Sequence, residues 1–110
     1  MKILVKCSVC GYVHEGDVPS ICPKCGAGSD KFLVLESSDA EKIYRSDYSN
    51  SLHMELIALA DQIINLAAEG IEDNLDPNCV TVFDKAKNAA WIIKQLSKAE
   101  IAAHIAKGKW

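Results

Sequence analysis

The chain has 110 residues, of which 49% are apolar and 25% charged, with a formal net charge of −3. That length bounds it to one domain or one small domain with an appendage, and the apolar fraction is that of a folded protein rather than a disordered one. No run approaches the ~18 consecutive apolar residues of a membrane span, and no basic stripe marks a nucleic-acid partner.

Met1-Lys2-Ile3-Leu4-Val5 runs at once into a charged Lys6 and a cysteine. This predicts no secretory leader. Ile3-Leu4-Val5 and Phe32-Leu33-Val34-Leu35 are brief apolar runs that predict outer strands of a small ribbon. Pro19, Pro23 and the intervening glycines exclude a helix between them.

Between the runs lie two Cys-x-x-Cys pairs, Cys7/Cys10 and Cys22/Cys25, separated by eleven residues. A Cys-x-x-Cys turn brings two thiolates to one ion, and two such turns complete a tetrahedral sulfur site. Gly11 and Gly26 follow the pairs, where the chain must turn tightly and aim backbone N–H groups at sulfur. The sulfur set suits iron and zinc equally. Metal binding also accounts for the folding of residues 1–36, a stretch too small to bury an adequate core alone. Paired thiols of this kind fit a reducing compartment, so the expected location is the cytoplasm. His14 follows the first pair and is expected at the surface without a matched partner.

From Ser37 the composition changes. Ser38-x-x-Glu41 predicts a capped short helix to Arg45, followed by a break over Ser46–Ser51. Leu52, Leu56, Leu59, Ile63 and Leu66 then alternate spacings of four and three, beside a second seam of Ile57, Ala60, Ile64 and Ala67. Together they predict an amphipathic helix with Glu55, Gln62 and Glu69 opposite, stopped by Gly70. Asp76-Pro77 predicts the cap and first residue of the next helix, with Phe83, Ala86, Ala90, Ile93 and Leu96 inward. Ser97-x-x-Glu100 predicts either a kink with a final helix ending at Gly108 or an unbroken run. Two apolar seams on one helix exceed what a small monomer buries, so pairing of two chains into a four-helix bundle is expected. His53 borders the second seam and reads as an interface histidine. Cys79 falls in a first helical turn, where N–H groups lower a thiol pKa and Asp76 and Asp84 oppose that; an inert buried thiol is the expectation.

Cys10-Gly11-Tyr12, Cys22-Pro23-Lys24-Cys25-Gly26 and Phe32 resemble the rubredoxin-like domain of the rubrerythrin family. The resemblance is close over Val5 to Phe32 and weak beyond. The order, metal domain first and helices after, is most similar to the reverse rubrerythrins of anaerobes. Val13 and the shorter loop between the pairs depart from ordinary rubredoxins. The expected fold is small α+β: a rubredoxin-like or zinc-ribbon domain over residues 1–36, then a helical domain of two or three helices over 37–110.

The resemblance implies one iron (Fe2+/Fe3+) on Cys7, Cys10, Cys22 and Cys25, shielded by Tyr12 and Phe32. It implies a one-electron carrier serving a redox partner protein in oxygen or peroxide defence, rather than a catalyst. The alternative is a zinc ribbon that presents the helices to another protein. A third reading is a dimeric di-iron peroxidase. The family's di-iron centre uses a Glu from each of two helices and Glu-x-x-His from each of two others. Here Glu100-x-x-x-His104 is one residue too long.

Overall fold

A computed structural model describes residues 2–110. The fold is α+β, a three-stranded antiparallel sheet followed by two helices. The chain divides into two compact units, Met1–Arg45 and Ser46–Trp110.

In the first unit β1 is Leu4–Cys7, β2 is Val13–Glu15 and β3 is Phe32–Val34, in the order β2-β1-β3. The two predicted runs do pair, Val5 opposite Val34 and Cys7 opposite Phe32, but β1 is the central strand rather than an outer one. Its other neighbour, β2, sets Val5 opposite His14. Three residues, two of them polar, give no alternation long enough to read as a strand. β1 alternates Val5 and Cys7 inward with Lys6 outward, as a pleated strand must. Val5, Cys7, Cys22 and Phe32 make the core, with Cys10, Tyr12 and Ala27 packed against it. Half of that core is cysteine, so this unit depends on its sulfurs for its centre. At its far end the Tyr44 hydroxyl donates to the Glu15 carboxylate. Glu15 is held below the ordinary carboxylate value first by that bond and then by Lys2.

The first helix, α1, spans Ser37–Asp73 without the break predicted at Ser46–Ser51. The polar residues there are satisfied within a helix. Ser51 Oγ donates to the carbonyl of Asp47 one turn back, while Ser46 Oγ and Asn50 Nδ2 donate to the carbonyl of Lys109. The helix also runs through Gly70 and ends at Asp73, where Asn74 takes a left-handed φ of 49°. Asparagine tolerates that conformation through its short polar side chain.

α2 spans Pro77–Ala106 with the predicted cap. Asp76 is extended, and its Oδ1 accepts from the Cys79 N–H at 2.7 Å. No kink follows Ser97, which is buried and turned toward His53 rather than back onto the backbone. The helix closes on Gly108 at φ 73°, with Lys109 N–H on the carbonyl of His104 at 2.8 Å and Gly108 N–H on that of Ile105 at 3.3 Å. This pair of bonds is a Schellman motif.

Within the second unit the helices are antiparallel, tied by Asn50–His104, His53–Ser97 and Asp61–Lys94. The buried seam is made of small and polar residues: Asn50, Ala60 and Ala67 on α1, and Ala90, Ser97 and His104 on α2. The leucine seam lies outside it, and Leu96, expected inward, is 66% exposed. No helix among the described residues is long and apolar enough to cross a membrane.

The Asp76 cap carries a pH signature. The Cys79 backbone N–H holds its carboxyl below the ordinary 3.8. A carboxyl lowered on folding stabilises the fold above its unfolded value and loses that contribution as pH falls through its folded value. The urea midpoint of the wild type is therefore expected to exceed that of Asp76→Ala at about pH 7, with the difference shrinking below about pH 4. An equal difference at both ends of the range would dismiss this account.

Candidate metal centre

The two knuckles repeat one backbone pattern. Cys7 N–H donates to the carbonyl of Tyr12 and Gly11 N–H to that of Cys7, at 2.8 and 2.9 Å. Cys22 N–H donates to the carbonyl of Ala27 and Gly26 N–H to that of Cys22, at the same two distances. Gly11 and Gly26 have φ of 83° and 78°, a region where a side chain is strained, so the turn requires glycine. Their N–H groups bond carbonyls, correcting the expectation that they would point at sulfur. The donors to sulfur are other amides of the knuckles: Val9 and Cys10 toward Cys7, Lys24 and Cys25 toward Cys22, and Ala27 toward Cys25.

All five cysteines are free, and the Sγ atoms of Cys7, Cys10, Cys22 and Cys25 lie within 4.8 Å of one another. The closest approaches cross between knuckles, Cys7 to Cys25 at 3.7 Å and Cys10 to Cys22 at 3.6 Å. Four thiolates placed ~2.3 Å from a central ion at tetrahedral corners are separated by about 3.8 Å. The sulfur set therefore has the spacing of a tetrahedral site.

The amides also poise the thiols. Cys7 is lowered, chiefly by the Cys10 N–H. Burial pushes Cys22 up, but the Cys25 and Lys24 N–H groups and the neighbouring thiols outweigh it and bring it to about 6. For Cys25 the Ala27 N–H acts downward, while burial and the three other sulfurs together carry it up to about 11. Sulfurs this close compete for negative charge, the condition that a cation relieves. Cys7 and Cys22 are buried, Cys10 half-buried, and Cys25 opens to solvent.

The remaining candidates fall elsewhere. His14 is half-buried, and its Nδ1 lies 2.8 Å from the Tyr12 hydroxyl, so it has the partner that sequence reasoning denied it. His104 is likewise partnered: Nδ1 meets Asn50 Oδ1 and Nε2 lies 3.2 Å from Glu100. Asn50, fixed by its bond to Lys109, was missed because it sits in a run that reads as a helix break. His104 thus joins the two helices through Asn50, while Glu100 lies exposed one turn away on the same helix. Cys79 is half-exposed rather than buried, and its thiol is pushed up by its contact with Asp76, by burial, and by the charges of Asp76 and Asp73. The acidic neighbours thus act against the lowering expected in the first turn of a helix.

Comparison with known proteins agrees with this geometry. Residues 6–33 match the family model for the rubrerythrin rubredoxin-like domain. The first unit carries a rubredoxin-like domain of the rubrerythrin family. The chain is also 35% identical over 78 residues to a reverse rubrerythrin-1 of Clostridium acetobutylicum, an alignment covering 70% of this chain and 38% of that protein. The likeness therefore extends beyond Phe32 into the helices, further than the motif residues alone indicated. The matched part of the chain spans well under half the length of that relative.

Proposed function

We propose that Cys7, Cys10, Cys22 and Cys25 hold one iron ion and that the chain is a one-electron carrier. The observation that supports this most directly is the sulfur geometry, four thiol groups at tetrahedral spacing inside a rubredoxin-like domain. Iron bound there supplies an Fe2+/Fe3+ couple with similar geometry in both states. The chain's own groups do the rest. The knuckle amides donate to sulfur and stabilise the charge on the thiolates. Phe32 and the ring of Tyr12 pack against the buried sulfurs and exclude water from that side. Cys25 is exposed, so its Sγ is the edge through which a redox partner protein reaches the site.

In this reading residues 1–36 are the metal-binding domain and residues 37–110 the helical domain. The carrier works in the reducing cytoplasm, within oxygen or peroxide defence, as the kinship with a reverse rubrerythrin suggests. Metal analysis with a visible spectrum, on protein prepared anaerobically from its native host, tests it. Expected is one iron per chain, red when oxidised and bleached by dithionite. One zinc and no colour would refute the carrier and leave a structural ribbon.

A further inference from the structure

We propose that the metal end of the first unit docks an acidic electron-donor protein, with Lys6, Lys24 and Lys31 as the recognition rim around the exposed Cys25. This rests on the carrier reading and adds the class of partner that reduces the site. Residues 1–36 hold four basic and four acidic side chains, so the metal domain is neutral in total. Its charges are nonetheless sorted. The knuckle segments, 6–11 and 22–32, carry three lysines against Asp30 alone. The rest carries Lys2 against Glu15, Asp17 and Glu36.

The strand register fixes where these groups lie. Glu15 stands opposite Leu4, and Gly16 N–H bonds the carbonyl of Ile3 just before Asp17. Leu35 N–H bonds the carbonyl of Leu4 just before Glu36. The acids therefore gather at the end of β1 remote from Cys7. At the other end the Lys6 side chain lies over Gly11, its Cε 3.9 Å from where a Cβ would stand. Lys24 is inside the second knuckle, and Ser8 N–H and Oγ both donate to the Lys31 carbonyl, at 2.9 and 2.7 Å. All three lysines are exposed. Within this rim the surface is apolar: Val9 and Ile21 are 61% and 62% exposed, and Pro23 is exposed in the same knuckle as Cys25. An apolar centre that sheds water inside a charged rim that steers the encounter is the layout of a transient interface.

The charge of the centre itself selects the direction of transfer. Four thiolates around Fe3+ leave one negative charge, and around Fe2+ two. The lysines exceed Asp30 by two, so the metal end is positive when oxidised and neutral when reduced. An acidic donor therefore binds the oxidised form. It passes one electron, so that its own centre is oxidised and Fe3+ becomes Fe2+, and no atom or proton moves. It then faces an end without net charge, so the electron that completes the transfer also loosens the complex. One charge at ~10 Å in water alters affinity about twofold per partner carboxylate, and a rim of three carboxylates makes that roughly eightfold. A basic partner gains nothing at this end in either state.

Amide NMR of the full chain, loaded with redox-inert gallium(III) or zinc(II), reads docking without electron transfer. The probes are plastocyanin held as Cu+, which is acidic, and reduced cytochrome c, which is basic. Plastocyanin is expected to cause saturable shifts at Val9, Gly11, Lys24 and Gly26, with severalfold tighter binding to the gallium form. The shifts should weaken between about 0.01 M and about 0.1 M salt, as the Debye length falls from ~30 to ~10 Å. Lys24→Glu and Lys31→Glu, both at exposed positions, are each expected to weaken binding at least about fourfold while metal content and amide dispersion are kept. Lys2→Gln, at the acidic end, is expected to leave it unchanged. A gallium form that plastocyanin does not shift, equal affinity for the two metal forms, or stronger knuckle shifts with cytochrome c would each overturn the proposal. These readouts do not depend on the native metal, so a failed docking surface and a failed carrier are told apart.

Discussion

Cys22→Ser is expected to lose most of its bound metal and to unfold the first unit while the helices of the second unit persist. Cys22 is buried and is also one quarter of the core, beside Val5, Cys7 and Phe32. A serine hydroxyl there is a poor metal ligand and a polar group in an apolar centre, so one change removes both supports. Loss of groups that merely orient a ligand costs ~10–100-fold in metal affinity, and loss of the ligand itself is expected to exceed that. Cys25→Ser makes a useful contrast. Its position is exposed, so the metal is lost with a smaller direct effect on packing. Metal content together with an amide NMR spectrum reads both effects. A Cys22→Ser protein with full metal and intact dispersion for Val5, Cys7 and Phe32 would remove Cys22 from the ligand set.

The contrast between the two units shows what a single chain discloses about itself. The knuckles were legible because their chemistry is local: a Cys-x-x-Cys turn and its glycine specify one bend, and two bends specify one sulfur cluster. The Asp76-Pro77 cap and the Gly108 stop were legible for the same reason. Features decided by a distant partner were not. Ser46, Asn50 and Ser51 read as a loop because small polar side chains compete with the helix backbone. They are helical here because the Lys109 carbonyl, brought back by the hairpin, accepts two of them. The inner face was misread for a related reason. Leucines dominate a hydrophobic pattern, yet the seam between these helices belongs to Ala60, Ala67, Ala90 and Ser97. Small side chains allow close backbone approach, and the volume of a leucine row needs a larger space than one hairpin encloses.

Gly70→Ala puts this distinction to a test in which the two explanations differ in sign. Read as a helix stop or an open helical position, Gly70 should be improved by alanine, since glycine within an exposed helix costs ~1 kcal/mol relative to alanine. The structure instead places Gly70 inside α1, three residues before its end, and a Cβ added there would fall onto Cγ, Cδ2 and Cε2 of Phe83 on α2. A ring that is partly buried between helices cannot withdraw as the tip of a lysine would. Overpacking of this kind costs ~1–3 kcal/mol, enough to outweigh the gain in helix propensity. The expected result is a fall in the melting temperature of several degrees at fixed protein concentration, on the scale of about 4–8 °C per kcal/mol for a unit of this size. Phe83→Leu, which removes the ring edge, is expected to absorb much of the penalty in the double variant. The two substitutions should then couple by more than ~0.5 kcal/mol, beyond the range of independent sites. A stabilised Gly70→Ala, or strict additivity with Phe83→Leu, would mean that the helices do not meet at this glycine and would return Gly70 to the role of a stop.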